Sequence, residues 1–214
     1  MRPLLLLLPV LLSVNTDLGT GWEESARDDN ILIYGRAKEG AEVREMKATG
    51  LVDATPQEIW DAIRDYENYD KTMPYTEESK VLSRENGGKI TYFHSVINAP
   101  LVSRRDYVIK ILDESDWKDG KGYLLVSWSS IESDAVKPKE GVVRVALNTG
   151  FWKLEPREDG KKTFVTYYIY TAPGGSIPNW IANRANAVAV PKVFKAIRKV
   201  IADKREKAKA APAK

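Results

Sequence analysis

Residues 163–202 read TFVTYYIYTAPGGSIPNWIANRANAVAVPKVFKAIRKVIA. The first nine residues, 163–171, are rich in Val, Ile, Tyr and Thr, the composition of a strand. Pro173-Gly-Gly175 punctuates the run, and Ile177-Pro-Asn179 then opens a helix that the spacing carries to about Ala202. Within it, Ile181, Ala185, Val188, Val193, Ile197 and Val200 fall near helical spacing on one side, with Arg184, Lys192, Lys195, Arg198 and Lys199 mostly elsewhere. Pro191 stands inside the helix, where it removes the bond to the Ala187 carbonyl and makes either a kink that fits the helix to the sheet or a weak point that a lid could use.

Working back from this helix, strand-like runs occupy residues 80–84, 89–98, 105–112, 123–130 and 141–154. Turn signals separate them at Asn86-Gly-Gly88, Asp119-Gly-Lys-Gly122 and Asp159-Gly160. Near the start, residues 23–33 read as a short helix, with strands at 31–36 and 42–52. Thr55-Pro-Gln-Glu58 is a helix start with Pro in the first turn and a capping-box Glu, placing Ile59, Trp60, Ile63 and Tyr66 on one stripe. A helix or two, a long antiparallel meander and a closing helix give an α+β class in which one curved sheet wraps one helix.

Composition narrows the chemistry. The 214 residues include no Cys and a single His, His94, which excludes disulfides, thiolate metal sites and most His clusters. A formal charge of +3 conceals a split: from Pro178 onward ten basic residues face two acidic ones, a net +8, leaving −5 on residues 1–177. The split implies an acidic body with a basic closing element turned toward an anionic partner. Met1-Arg-Pro3 followed by the apolar residues 4–14 matches a secretory signal better than a spanning helix, so export to the periplasm or outside is expected, with an uncleaved membrane anchor as the competing reading because residues 13–21 lack a clear small-x-small cleavage pair. The expected organisation is a signal peptide at 1–20, one domain at 21–203 and a basic solvated tail at 204–214.

Three segments in order resemble the START lipid-transfer domains of the helix-grip superfamily. They are residues 54–63 leading into Tyr69-Asp-Lys-Thr-Met73; Pro100-Leu-Val-Ser-Arg-Arg-Asp-Tyr-Val108; and Gly141-Val-Val-Arg144 through Gly150-Phe-Trp152, Tyr167 and residues 173–178. The resemblance covers about residues 21–202 and implies a sheet gripping the C-terminal helix over an apolar cavity for one lipid. Two departures stand out. Ala172 replaces the acidic residue that often precedes the Pro-Gly-Gly turn. Tyr92 and Ile111 occupy the positions matching the charged cavity pair of steroid carriers.

On that reading the cavity lining is Tyr92, His94, Tyr107, Ile109, Ile111, Val145, Leu147, Phe151, Ile181, Ala185, Val193 and Ile197. Alternation places Val143, Val145, Leu147 and Phe151 on one face and Arg144, Asn148 and Trp152 on the other. Pro100, Leu101, Val102, Ile177 and Trp180 are the expected membrane contacts, apolar tips beside Arg and Lys. The function expected is a monomeric, non-enzymatic carrier of a phospholipid, sterol or similar lipid. It has no metal or other cofactor, no nucleic acid, and only transient contact with an anionic membrane. A polyketide cyclase, drawing on His94, Tyr92 and Tyr107, or a sensor of small hydrophobic ligands on the same fold, is the alternative.

Overall fold

A computed structural model describes residues 16–210 except 101, 173 and 176, and apart from the side chains of residues 179, 182, 185 and 186. The chain builds strands β1 (Glu23–Asp28), β2 (Ile31–Arg36) and β3 (Glu45–Val52), then helices α1 (Pro56–Ile63) and α2 (Tyr69–Thr72). Seven longer or shorter strands follow: β4 (Thr76–Glu85), β5 (Ile90–Ile97), β6 (Arg105–Asp113), β7 (Asp116–Lys118), β8 (Lys121–Ser130), β9 (Val143–Arg144) and β10 (Leu147–Arg157). Strand β11 (Lys162–Ala172) and helix α3 (Asn179–Ala210) close the chain. The main path of the sheet runs β1-β2-β3-β11-β10-β8-β6-β5-β4, every neighbouring pair antiparallel. This is the helix-grip architecture, a large antiparallel sheet closed by a C-terminal helix.

The N-terminal end differs from the expected helix. Residues 23–36 form the hairpin β1–β2, turned at Asp29 with φ +55°, and Ile31 and Ile33 are fully buried. The period of two in Ile31, Ile33 and Gly35 outweighs the helix-compatible charges before it. Thr55 caps α1 as read: its hydroxyl accepts from the Glu58 amide at 3.2 Å while Glu58 accepts from the Thr55 amide at 2.8 Å. The 141–154 run breaks in two, because β9 pairs parallel to β6 and the Val145 amide donates to the Asp106 carbonyl at 2.8 Å.

Helix α3 lies on one face of the sheet and passes through Pro191 to Ala210, beyond Asp203 where a solvated tail is expected. Its buried residues are Val190, Phe194, Ile197, Val200 and Ile201; Val188, expected on that side, is 43% exposed. Part of the basic charge of α3 is met by the chain itself, although most of its basic side chains stay exposed. Arg198 and Lys195 meet Asp28 at 3.1 and 3.6 Å, and Arg205 meets Glu58 at 2.6 Å. The acidic body is thus part of the anionic surface that the charge split implies. At the other end, Leu18 and Thr20 carbonyls accept from Arg36 at 2.6 and 3.0 Å, inside the stretch assigned to the leader. The apolar start at 4–14 lies outside the described residues.

Candidate functional site: an aromatic cavity between the sheet and the closing helix

The sheet and α3 enclose a cavity of about 280 Å³, close to the lower end of small-molecule pockets at about 300 Å³. Strand registers explain its wall, since directly opposed residues share a face. One row crosses Ile111 on β6, Trp128 on β8, Gly150 on β10 and Ile169 on β11. Two residues along, a second row crosses Val126, Trp152 and Tyr167. Gly150 is required where it stands: a Cβ there would lie 2.4 Å from the Trp128 ring. The missing side chain is what lets the Trp128 indole lie across the wall, held by its Nε1 donating to Asn148 Oδ1 at 2.9 Å.

The rest of the lining comes from Phe93 and Ile97 on β5, Tyr107 and Ile109 on β6, and Ile63, Tyr66 and Tyr69 around α1 and α2. Met73–Thr76 and, on α3, Ala189, Val190, Val193 and Ile197 complete it. Aromatic rings stiffen this wall: Trp152 and Tyr167 stand 4.1 Å apart, and Tyr66, Tyr69 and Phe93 meet at 5.6 to 5.7 Å. Burial pushes the Tyr66, Tyr69, Tyr107 and Tyr167 hydroxyls above the usual phenol range, so they stay neutral. Among the described residues no charged side chain lines the cavity.

Of the residues read as lining, Tyr107, Ile109, Ile111, Val193 and Ile197 stand at the cavity. Tyr92 and His94 do not: Phe93 takes the inner face of β5, and the period of two turns its neighbours to the other side. There His94 Nε2 lies 3.1 Å from Asp106 Oδ2, and Arg144 donates to both Asp106 oxygens at 2.8 and 2.9 Å. Burial alone would raise the Asp106 pKa, but the hydrogen bonds from Arg144 and His94 outweigh it and hold the carboxyl below its usual range. This buried cluster ties β5, β6 and β9 together and also holds the Val136 carbonyl through Arg144 at 3.1 Å. Its role is structural.

Phe151 is likewise on the opposite face, against Tyr168 at 5.7 Å, while Trp152 points to the cavity. Alternation sorted the two faces of β10 correctly and chose the wrong one as inner. The outer face attracts an apolar residue because Trp22 packs edge-on to Tyr168, at 6.4 Å, and covers that side. Val145 is buried away from the cavity, Leu147 is 38% exposed at the start of β10, and Ile181 is half-buried outside the lining. The Ala185 side chain lies outside the described residues. Trp128, Trp152, Phe93, Tyr66 and Tyr69 were missed. The signal available for the first two was Gly150, a strand glycine facing a large ring.

Around the start of α3, Trp180 is 67% exposed and Ile177 half-buried. Pro100 is exposed and Val102 half-buried on the loop before β6; Leu101 lies outside the described residues. Arg105 is held by backbone carbonyls, Ser103 and, at 3.4 Å, Gly174, so it fixes the turn ahead of α3. At the cavity edge Lys192 hydrogen-bonds the Tyr75 hydroxyl and stands 4.6 Å over its ring.

Three comparisons agree with this geometry. An uncharacterized protein of Pseudomonas aeruginosa is 29% identical over 189 residues, covering 88% of this chain and 90% of its own. The phosphatidylcholine transfer protein of Rattus norvegicus is 28% identical over 179 residues, covering 83% of this chain and 82% of its own. The crystal structure of a STAR-related lipid transfer protein from Xanthomonas axonopodis superposes with a TM-score of 0.74 at 28% identity, covering 85% of this chain and 99% of that one. The START domain model matches residues 10–207, nearly the whole chain, and the protein therefore belongs to the START domain family.

Proposed function

We propose that the protein is a non-enzymatic carrier that holds one hydrophobic ligand in the cavity and exchanges it at membrane surfaces. The observation that carries this reading is the cavity itself: aromatic and aliphatic, enclosed under α3, and lined by no charged group among the described residues. Such a lining favours an apolar guest and offers little to a reacting charge. Two relatives named for lipid transfer support the same reading. Cyclase chemistry is less well served. Its candidate base, His94, is committed to Asp106 on the other face of the sheet, and the hydroxyls in the cavity belong to neutral tyrosines and Thr76.

Exchange would take place at the end of the molecule where α3 begins. Trp180, Val188 and Leu147 are the large apolar residues exposed among those described. Exposed basic residues Arg184 and Lys192 accompany them on α3. Apolar tips beside cations suit the headgroup level of an anionic bilayer. Export directed by residues 4–14 and action as a monomer belong to the same reading.

The test is transfer of a fluorescent lipid between vesicles. Trp180→Ser combined with Val188→Ser should slow transfer severalfold with the fold intact, and added salt should slow it from anionic donors. Unchanged transfer in the double variant overturns the assignment of this end. Turnover of a polyketide mimic overturns the carrier reading.

A further inference from the structure

The size of the cavity limits its guest. An engineered cavity of about 150 Å³ with an aliphatic and aromatic lining holds one benzene. The space under α3, about 280 Å³, is less than twice as large. At about 30 Å³ for a group the size of a water, it houses about nine methylene-sized groups, one short chain rather than two.

The cavity edge carries a cation that the chain leaves without a counter-charge. On α3, Lys195 and Arg198 meet Asp28, Lys199 meets Asp203 and Arg205 meets Glu58. Lys192 meets no carboxylate among the described residues; it stands over the Tyr75 ring and hydrogen-bonds the neutral Tyr75 hydroxyl. The acidic residues just after Tyr75 are already spent, Glu77 on Arg104 and Glu78 on Lys139 at 2.9 Å. An ammonium only donates, so the Tyr75 oxygen accepts in this bond and the other ammonium hydrogens remain to bind a guest.

Tyr75 is itself part of the lining, which puts Lys192 at the rim rather than inside. The backbone there is held at φ +62°, a conformation that the other non-glycine residues to adopt it, Asp29, Asn86, Asp119, Glu158 and Asp159, reach with acidic or amide side chains. A bulky aromatic kept in that region is strain of the kind that positions a functional group.

An apolar pocket for one chain with a single cation at its rim matches an amphiphile with one negative charge. A carboxylate accepts charge-assisted hydrogen bonds from Lys192, stronger than those a neutral head would make. A cationic head meets like charge. We propose that Lys192, held over Tyr75, binds the carboxylate of a single-chain fatty acid whose tail fills the cavity. This rests on the lipid-carrier reading above and adds the class of ligand.

The experiment is calorimetric titration of the whole chain at neutral pH with decanoate, decanol and dihexanoylphosphatidylcholine, each below its micelle concentration. The parent, Lys192→Met and Lys195→Met are compared, with melting curves to confirm folding. Lys192→Met should raise the decanoate Kd about fivefold, as for a solvent-exposed ion pair, and move the decanol Kd less than about twofold. Lys195→Met removes the same charge beside Asp28 and should move the decanoate Kd less than about twofold. The parent should bind decanoate at least about tenfold more tightly than the two-chain lipid, whose second chain finds no apolar space to enter. An unchanged decanoate Kd in Lys192→Met, an equal loss in Lys195→Met, or two-chain binding as tight as that of decanoate overturns the proposal and leaves the carrier reading standing. Binding of none of the three ligands overturns both.

Discussion

Arg205, near the end of α3, grips Glu58 of α1 with two hydrogen bonds of 2.6 and 2.9 Å across 147 residues of chain. The same Glu58 closes the capping box with Thr55. One carboxylate therefore starts the first helix and anchors the last. The Arg205 hydrogen bond is the main cause that brings the Glu58 pKa down to about 2 from an ordinary 4.5, against the opposing effect of burial. A depressed folded-state pKa stabilises the fold above the unfolded value, and that contribution is lost as pH falls from 4.5 toward 2. Both side chains are partly solvated, so screening leaves about 1 kcal/mol. Urea titrations of Glu58→Gln should show a loss of about that size at pH 7 and a shallower decline below pH 4.5 than the parent. Parallel pH profiles in the two proteins would contradict the pairing.

Gly150→Ala should damage the wall. Its Cβ would meet the Tyr168 carbonyl oxygen at 2.3 Å and the Trp128 ring at 2.4 Å. The carbonyl is backbone and has little freedom to yield, so a cost of about 1–3 kcal/mol is expected. The melting temperature should fall and Trp128 fluorescence should shift. A variant as stable as the parent would show that the row of side chains is misplaced.

Tyr75 holds φ at +62°, a strained conformation for a residue with a side chain, while its carbonyl accepts from the Asn98 amide at 2.8 Å. Together with Lys192 over its ring, this links the loop before β4 to α3 at the cavity edge. Lys192→Met removes the cation and keeps most of the unbranched side chain. Stopped-flow release of a bound fluorescent lipid should become a few times faster, with little change in melting temperature. An unchanged release rate would show that the exit lies elsewhere.

Ile109, opposite Phe93 in the wall, is the position for filling the cavity. Ile109→Trp should place an indole in the space a ligand needs and reduce lipid binding at least tenfold. Because the space is already present, the stability cost should stay below that of overpacking a filled core. Retained binding in a folded Ile109→Trp protein would move the ligand out of this cavity.

Most of the architecture was legible because two periodicities change sharply. Alternation through residues 105–112 and 163–171 becomes helical spacing after Asn179, and the Thr55–Glu58 cap marks α1 without reference to tertiary structure. Only half of the 23–36 hairpin was legible: the 31–36 strand stands as β2, whereas the six residues of β1, of mixed polarity, support a helix until Ile31 and Ile33 find a sheet to join. The cavity was legible by strand rather than by residue. Alternation sorted Tyr107, Ile109 and Ile111 from Asp106 and Lys110 on the right side. It chose the wrong side for Phe151 and Trp152, because Trp22 and Tyr168 make the outer face apolar as well. His94 looked like a cavity group for want of its partner Asp106, which lies 12 residues away and is held in turn by Arg144. The charge split was real, but a linear count does not reveal that Asp28 and Glu58 meet it from within.

The central claim is that one chain carries one hydrophobic molecule under α3. Native mass spectrometry of protein isolated gently from its own cells measures this directly. The account predicts a main species heavier than the bare chain by the mass of one lipid, and loss of that species in Ile109→Trp. A bare chain as the main species from the parent protein, or the same added mass surviving in Ile109→Trp, would contradict it.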